Sequence, residues 1–362
     1  MAAARVLLLS ASVGEGHDGP ARTLSAALER RGAQTATIDT LAAAGPRAQG
    51  LADVGTQYDT RLGNVVFDLA HRAIAEWPPG QQVAGRALAA LFGARLLRVV
   101  REQRPDVLVA TYPGASEVLG RLRARGRLDV PLASAITDLA SLRYWAHPGV
   151  DEHLVIHDES TAEVRQIAGP RARVTAVHGL VDPAFRAPAR PHVARAALGL
   201  PVDGRIVVVS GGGWAVGDLS GATDAALASG ADVVVVLCGR RADVRSGLQK
   251  HFAAVPAVRM WGFTERMAAL LAAADVLVHS TAGLTVLEAM MCGCRVISFG
   301  WGRGHIRANN RAYRQHGLAA VVDTPPELAT HLTRALAAPR AEPFQPSLPE
   351  AADRVLALGP LR

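Results

Sequence analysis

Short apolar runs alternate along this chain with longer stretches in which apolar positions recur at helical spacing. Such runs, bounded by turn residues, read as buried strands, and their alternation with helical patterns reads as a parallel sheet with crossover helices. In the first half the predicted strands are Arg5–Ser10, Gln34–Ile38, Asp106–Thr111, Pro131–Ile136, His153–Ile156 and Val174–Val177. In the second they are Arg205–Ser210, Asp232–Leu237, Val258–Trp261, Asp275–His279, Arg295–Phe299 and Ala320–Val322. The expected fold class is therefore α/β, with two doubly wound lobes facing across a cleft and ligands at the carboxyl ends of the strands. The expected boundaries are residues 1–181 for the first lobe and 205–338 for the second. A Pro- and Arg-rich stretch, 182–204, reads as a semi-rigid linker, and 339–362 as a Pro-rich tail with a short helical pattern near Ala351–Leu358.

One segment breaks the alternation. Leu41 to Gln103 is long and mostly helical, far beyond an ordinary connection. Within it Leu88, Leu91, Phe92, Leu96, Val99 and Val100 recur at helical spacing, with Arg86, Arg95, Arg98, Arg101 and Arg104 between them. Two readings stand: a helix packing one face on its own lobe, or a basic amphipathic surface that touches anionic lipid.

Composition narrows the class. The chain has 362 residues, 49% hydrophobic and 20% charged, enough apolar material for two cores and too much for a disordered chain. Its three cysteines, Cys238, Cys292 and Cys294, are an odd number and read as reduced thiols in a cytoplasmic protein. No apolar run approaches the ~20 residues of a membrane span. The four apolar residues after Arg5 are too few for a signal peptide and read as a first strand. Net charge is +7, and every basic position except Lys250 is arginine, a residue suited to phosphate and carboxylate. Aromatic residues make up only 4%, and no nucleic-acid-binding motif is present, so no nucleic-acid partner is expected.

Candidate chemistry gathers at strand ends. After the first strand comes Ser10-Ala-Ser-Val-Gly14-Glu15-Gly16-His17, a Gly-rich turn opening a helix. Its backbone N–H groups suit an anion, and the His17 imidazole suits removal of a proton from a hydroxyl. The plainer alternative is a His17 that caps the helix or bonds Asp18. Thr137-Asp138 follows the fourth predicted strand. Asp138 could bind a hydroxyl, orient His17, act as the base, or cap a turn. Trp145 and His147 follow within ten residues, as pocket walls or as packing. In the second half Ser210-Gly211-Gly212-Gly213 is a turn whose amides suit a pyrophosphate. Phe263 and Thr264, with Met267 one turn on, suit a nucleobase, with core packing of Phe263 the alternative. Gly283-Leu284-Thr285 opens a helix in which Glu288, one turn inside, suits two ribose hydroxyls or simply complements the helix dipole. A last Gly-rich loop runs from Gly300 to Asn309, with His305, Asn309 and Asn310 as hydrogen-bonding candidates.

Together these motifs resemble the inverting GT-B glycosyltransferases of the monogalactosyldiacylglycerol synthase and MurG-like group, with two Rossmann-like lobes. The resemblance rests on Gly14–His17, on Thr137-Asp138 with Trp145, and on Gly262-Phe263, Ala274-Asp275-Val276, Gly283-Leu-Thr285-Val-Leu-Glu288-Ala289 and Gly304…Asn309 in that order. It implies a UDP-linked hexose or N-acetylhexosamine donor in the second lobe. Phe263, Thr264 and Met267 would hold the base, Glu288 the ribose, Gly212, Gly213 and Gly283 to Thr285 the diphosphate. His305 and Asn309 would meet the sugar. The acceptor hydroxyl, on a lipid such as diacylglycerol or on a small molecule, would lie near His17, Asp138, Gly14, Gly16 and Trp145. No metal or further cofactor is implied, because helix N-termini and loop amides stabilise the leaving diphosphate. A cytoplasmic protein, peripheral at the inner face of an anionic membrane, is the matching location. Two departures stand out: Gly304-His305-Ile306 replaces the group's Gly-Gln-Glu, and Leu142-Arg143-Tyr144-Trp145 lacks the usual His and Pro. A retaining GT-B enzyme would place a second Glu where Ser280 stands. A UDP-sugar 2-epimerase would need an acidic pair that is not evident, and a non-catalytic sugar-nucleotide binder would not need His17, Asp138 and Glu288 together.

Overall fold

The computed structural model describes residues 3–12, 15–46, 77–300, 302 and 304–359. The chain divides into two compact units, residues 1–182 with 347–362, and residues 183–346. All twelve predicted strands form, each within a residue or two of its expected ends.

The first unit holds β1 (Arg5–Ser10), β2 (Gln34–Asp39), β3 (Val107–Ala110), β4 (Leu132–Ile136), β5 (Glu152–Val155) and β6 (Val174–Ala176). They form one parallel sheet in the order β2-β1-β3-β4-β5-β6. The second holds β7 (Ile206–Ser210), β8 (Val233–Leu237), β9 (Val258–Trp261), β10 (Val276–His279), β11 (Arg295–Phe299) and β12 (Ala320–Val322). These pair in parallel in the order β12-β11-β10-β7-β8-β9. Central strands such as β1, β3, β7 and β8 are buried nearly end to end, because helices cover both faces of a parallel sheet. The strands β2, β6, β9 and β12 are only partly buried, and β2, at an edge, accordingly alternates polar with apolar residues. In each sheet the chain adds strands first on one side and then on the other. The reversal falls between β1 and β3 in the first unit and between β7 and β10 in the second.

The long helix Pro78–Gln103 settles part of the Leu41–Gln103 question; residues 47–76 lie outside the described residues. Ala89, Phe92, Leu96, Leu97 and Val100 are buried, most of them in the core of the first unit, as a packing helix requires. Leu91 departs from the expected packing stripe and is 56% exposed.

Composition alone misreads one segment. Residues 182–204, expected as a linker, contain the helix Pro191–Leu198 and from Pro183 on belong to the second unit. Arg195 on that helix is only 7% exposed, pairs with both oxygens of Asp275 at 2.9 and 3.1 Å, and donates to the carbonyls of Ala273, Val202 and Gly204. One buried guanidinium with all its donors engaged fixes the helix despite the surrounding prolines. The short helix expected in the tail forms as Ala351–Leu356 and belongs to the first unit. There Ala351 N–H donates to the His178 carbonyl (2.8 Å), and Arg354 reaches the fully buried Glu152 carboxylate (2.8 Å). The same carboxylate accepts from the Thr175 hydroxyl (2.6 Å), and Arg173 lies 2.9 Å from its other oxygen without hydrogen-bond geometry.

Removing a cation from a buried carboxylate leaves charge poorly compensated. Arg354→Ala should therefore destabilise the protein by about 1–3 kcal/mol, allowing for the arginine's partial exposure. Arg31→Ala, which breaks the exposed Arg31–Asp353 pair, should cost under about 1 kcal/mol. Denaturant melts of both variants check this, and equal losses would contradict the role given to Glu152.

Candidate active site

In the first unit the candidate residues meet at the β1/β3 reversal. The helix α1 (Glu15–Glu29) starts just after β1 and carries His17 in its first turn. Gly14 lies outside the described residues. Pro20 sits inside α1 and has no N–H to give to the carbonyl four residues back, that of Gly16. That carbonyl accepts instead from the Thr137 hydroxyl at 3.3 Å, which ties the loop after β4 to the turn carrying His17. The other side of α1 is fixed by Ser10, whose hydroxyl donates to Asp18 at 2.5 Å. Asp18 is thus engaged by Ser10.

His17 Nδ1 lies 3.0 Å from the main-chain carbonyl of Thr111, immediately after β3. A carbonyl only accepts, so Nδ1 carries the proton and the lone pair of the neutral ring is on Nε2. The ring packs edge-on against Tyr112 (centroids 5.3 Å apart) and tilted against Trp145 (5.8 Å). Trp145 is 1% exposed, belongs to the apolar cluster around Ile136 and Leu142, and donates its indole N–H to Asp138 at 3.0 Å. Asp138, Trp145 and His17 are therefore one contiguous unit, in which Trp145 acts from behind rather than as an exposed wall. His147 does not join them. It accepts from Gly149 N–H, packs against Gly120, and burial lowers its pKa to about 4, so it stays neutral.

Three residues of this site were not singled out from sequence. Thr111 acts through its main chain, which no side-chain pattern reveals. Tyr112 is partly buried, and that burial, with Asp39 nearby, raises its pKa. Asp39 ends β2 and accepts from the amides of Leu41, Ala42 and Ser12. Burial alone would push this carboxyl up, but the three amides outweigh it and hold it below the usual range. It anchors the start of the loop after β1.

In the second unit the loops after β7, β8, β9 and β10 converge at the carboxyl edge. The loop after β7 makes a tight turn, Gly212–Trp214, with Gly212 at φ +67°. A side chain on Gly212 would come within 2.9 Å of Thr281, so glycine is what lets the loops after β7 and β10 lie together. Gly283 begins the helix Leu284–Met291 at φ +85°, ψ −145°, a conformation open essentially to glycine, and supplies no side-chain cap for the first-turn amides. Thr285 and Glu288 on that helix are half-buried, whereas Leu284 points into packing and can offer a ligand only its main chain. Phe263 is 47% exposed and so is not the core residue of the alternative reading. The Thr264 hydroxyl accepts from Arg266 N–H at 3.1 Å, and Met267 begins the next helix.

The Gly300–Asn309 loop divides by depth. His305 is exposed at the start of the helix His305–His316, while Asn309 is fully buried and donates its amide to the His305 carbonyl. Asn310 is buried against Ser298, whose hydroxyl donates to it at 2.6 Å. These two asparagines hold the helix start rather than face solvent. The residue missed in this unit is Arg240, which follows β8 outside the glycine-rich motifs singled out from sequence.

Two doubly wound parallel lobes with candidate side chains at both strand-order reversals are the architecture of the GT-B fold class. Residues 17–181 match the family model for monogalactosyldiacylglycerol (MGDG) synthase, and residues 214–338 match that for glycosyl transferases group 1. The chain is thus similar in its first unit to MGDG synthases and in its second to group 1 glycosyl transferases. It is 24% identical over 338 residues to the processive diacylglycerol beta-glucosyltransferase of Bacillus licheniformis, covering 92% of this chain and 86% of that one. The Bacillus subtilis protein of the same name is 23% identical over 344 residues, covering 92% and 87%. Among solved structures, MurG of Acinetobacter baumannii superposes with a TM-score of 0.59 at 16% identity, covering 98% of both chains. Anabaena HepE in complex with UDP-glucose gives 0.51 at 16% identity, over 92% and 90%.

Trp145→Phe keeps a ring against His17 but removes the donor to Asp138. Turnover of the folded variant should fall roughly tenfold, the scale of one hydrogen bond to a charged group, and Tm should drop as well because the smaller ring leaves a cavity in a buried cluster. Unchanged turnover would show that Asp138 does not depend on the indole.

Proposed function

We propose that this chain is an inverting hexosyltransferase that moves a sugar from a UDP-linked donor to a hydroxyl of a diacylglycerol-type lipid. The single observation that carries the chemistry is the His17 ring, pinned through Nδ1 to the Thr111 carbonyl with Nε2 as the basic nitrogen. In this reading Nε2 takes the proton of the acceptor hydroxyl as its oxygen attacks the anomeric carbon in line. The bond from that carbon to the diphosphate oxygen breaks, and UDP leaves with the electron pair. Asp138 accepts the indole N–H of Trp145; in this reading it positions the ring stack and binds the acceptor, while His17 takes the proton.

On the donor side, the half-buried Glu288 binds the ribose, and the amides of the Gly212-Gly213 turn and of the first turn after Gly283 stabilise the departing charge. Phe263 stacks on the base, with Thr264 and Met267 at its edge, and His305 meets the sugar. This reading is supported by the two Bacillus relatives, both processive diacylglycerol beta-glucosyltransferases, and by the UDP-glucose bound in the HepE structure.

A lipid acceptor requires contact with a bilayer. Among the described residues no helix is long and apolar enough to cross one. The helix Pro78–Gln103 offers another route: Trp77 at its start, Val83 and Leu91 are 60%, 65% and 56% exposed, and Arg86, Arg98 and Arg101 are exposed with them. Apolar side chains between arginines suit the headgroup boundary of an anionic membrane.

His17→Ala should lower turnover roughly 10²–10⁴-fold while leaving UDP affinity near wild type. Transfer at the wild-type rate would remove His17 from the role of base. In co-sedimentation with vesicles containing anionic phospholipid, binding should fall as salt rises and should weaken in a Val83→Asp, Leu91→Asp double variant. Wild-type binding in that variant would place membrane contact elsewhere.

A further inference from the structure

Arg240 follows β8, one residue beyond Gly239, and its main-chain N–H donates to the Gly213 carbonyl at 2.9 Å. Its exposed side chain does not extend away into solvent. The guanidinium lies over the Phe263 ring, 4.3 Å from the centroid. On the other side, a Cβ added to Gly213 would stand 3.4 Å from Arg240 Nη1. The cation thus occupies the space between the aromatic surface and the glycine turn. A base stacked on that face of Phe263 and the guanidinium cannot occupy it together.

We propose that Arg240 is an exchangeable cap on the nucleotide subsite, which leaves the Phe263 face when a nucleoside diphosphate arrives and pairs with the diphosphate beside the Gly212-Gly213 turn. The inference rests on the donor reading given above and deepens it, by naming the residue that makes binding depend on the diphosphate. The physical basis is an exchange of partners. Over Phe263 the guanidinium gains a cation–π contact at an exposed site, which is weak. A diphosphate oxygen pair offers the planar guanidinium a bidentate, charge-assisted contact, which is stronger. A nucleoside without phosphate must displace the cation from the ring and returns nothing to it. Arg240 therefore favours UDP and opposes uridine, and truncating it should move the two affinities in opposite directions.

Calorimetric titration of UDP and of uridine into the full chain and into Arg240→Ala, Arg240→Lys and Phe263→Ala tests this. Arg240→Ala should weaken UDP roughly 10–100-fold, the range for a lost charge-assisted contact, while uridine binds as well as before or a few-fold better. Arg240→Lys should keep part of the UDP affinity, since the charge survives without the fork. Phe263→Ala should weaken both ligands. If Arg240→Ala weakens UDP and uridine by the same factor, the residue only supports the subsite and the exchange is wrong. If it changes neither, while wild type binds UDP and Phe263→Ala does not, the donor reading stands and the inference on Arg240 fails. A wild-type chain that binds no UDP overturns both.

Discussion

Parallel strand pairing is the constraint on which the rest depends. Every strand in a parallel sheet ends at the same edge, and each crossover helix returns to the opposite edge on one face. When strand addition reverses direction, the two helices beside the reversal go to opposite faces and leave a crevice that neither covers. In the first unit the loops after β1 and β3 border that reversal, and in the second those after β7 and β10. The candidate acceptor residues His17 and Thr111 sit at the first, and Gly212, Thr281 and Gly283 sit at the second. Sequence-distant residues meet because the topology brings those strand ends together.

Within that frame, main-chain hydrogen-bond accounting sorts the polar groups. Pro20 withholds a donor from α1, and the freed Gly16 carbonyl takes the Thr137 hydroxyl. Thr111 offers its carbonyl to His17 and thereby sets which nitrogen is basic. Asn309, Asn310 and Ser10 spend their side chains on neighbours and are part of the scaffold. The amides after Gly283 receive no side-chain cap, and Glu288 and Thr285 stay half-buried on the same helix. The first group sets geometry; in the proposed reading the second meets the nucleotide, the amides its diphosphate and Glu288 its ribose.

Much of this was legible in the sequence. All twelve strands could be located from buried apolar runs, because central parallel strands leave no polar face to blur the pattern. His17, Asp138 and Glu288 could be singled out because their motifs sit at strand ends. The depth of a residue was harder to read: Trp145 and Asn309 look like ligand contacts by position yet are buried. Cation–π contacts and main-chain acceptors such as Arg240 on Phe263 and Thr111 on His17 leave no local signature, since both link residues far apart in sequence. Proline content misled at 182–204, where the single buried Arg195 decides the matter and a long-range charge pair overrode a local compositional signal. The tail helix was legible, but its anchor, Arg354 on Glu152, was not.

The account turns on the protonation state that the Thr111 carbonyl imposes on one imidazole. Long-range proton–nitrogen NMR correlation of the His17 ring at neutral pH, assigned by loss of its signals in His17→Gln, reads this directly. The account predicts the proton on Nδ1 and a lone pair on Nε2. A ring protonated on Nε2 with a bare Nδ1 would contradict it, because no basic nitrogen would then remain for the acceptor hydroxyl.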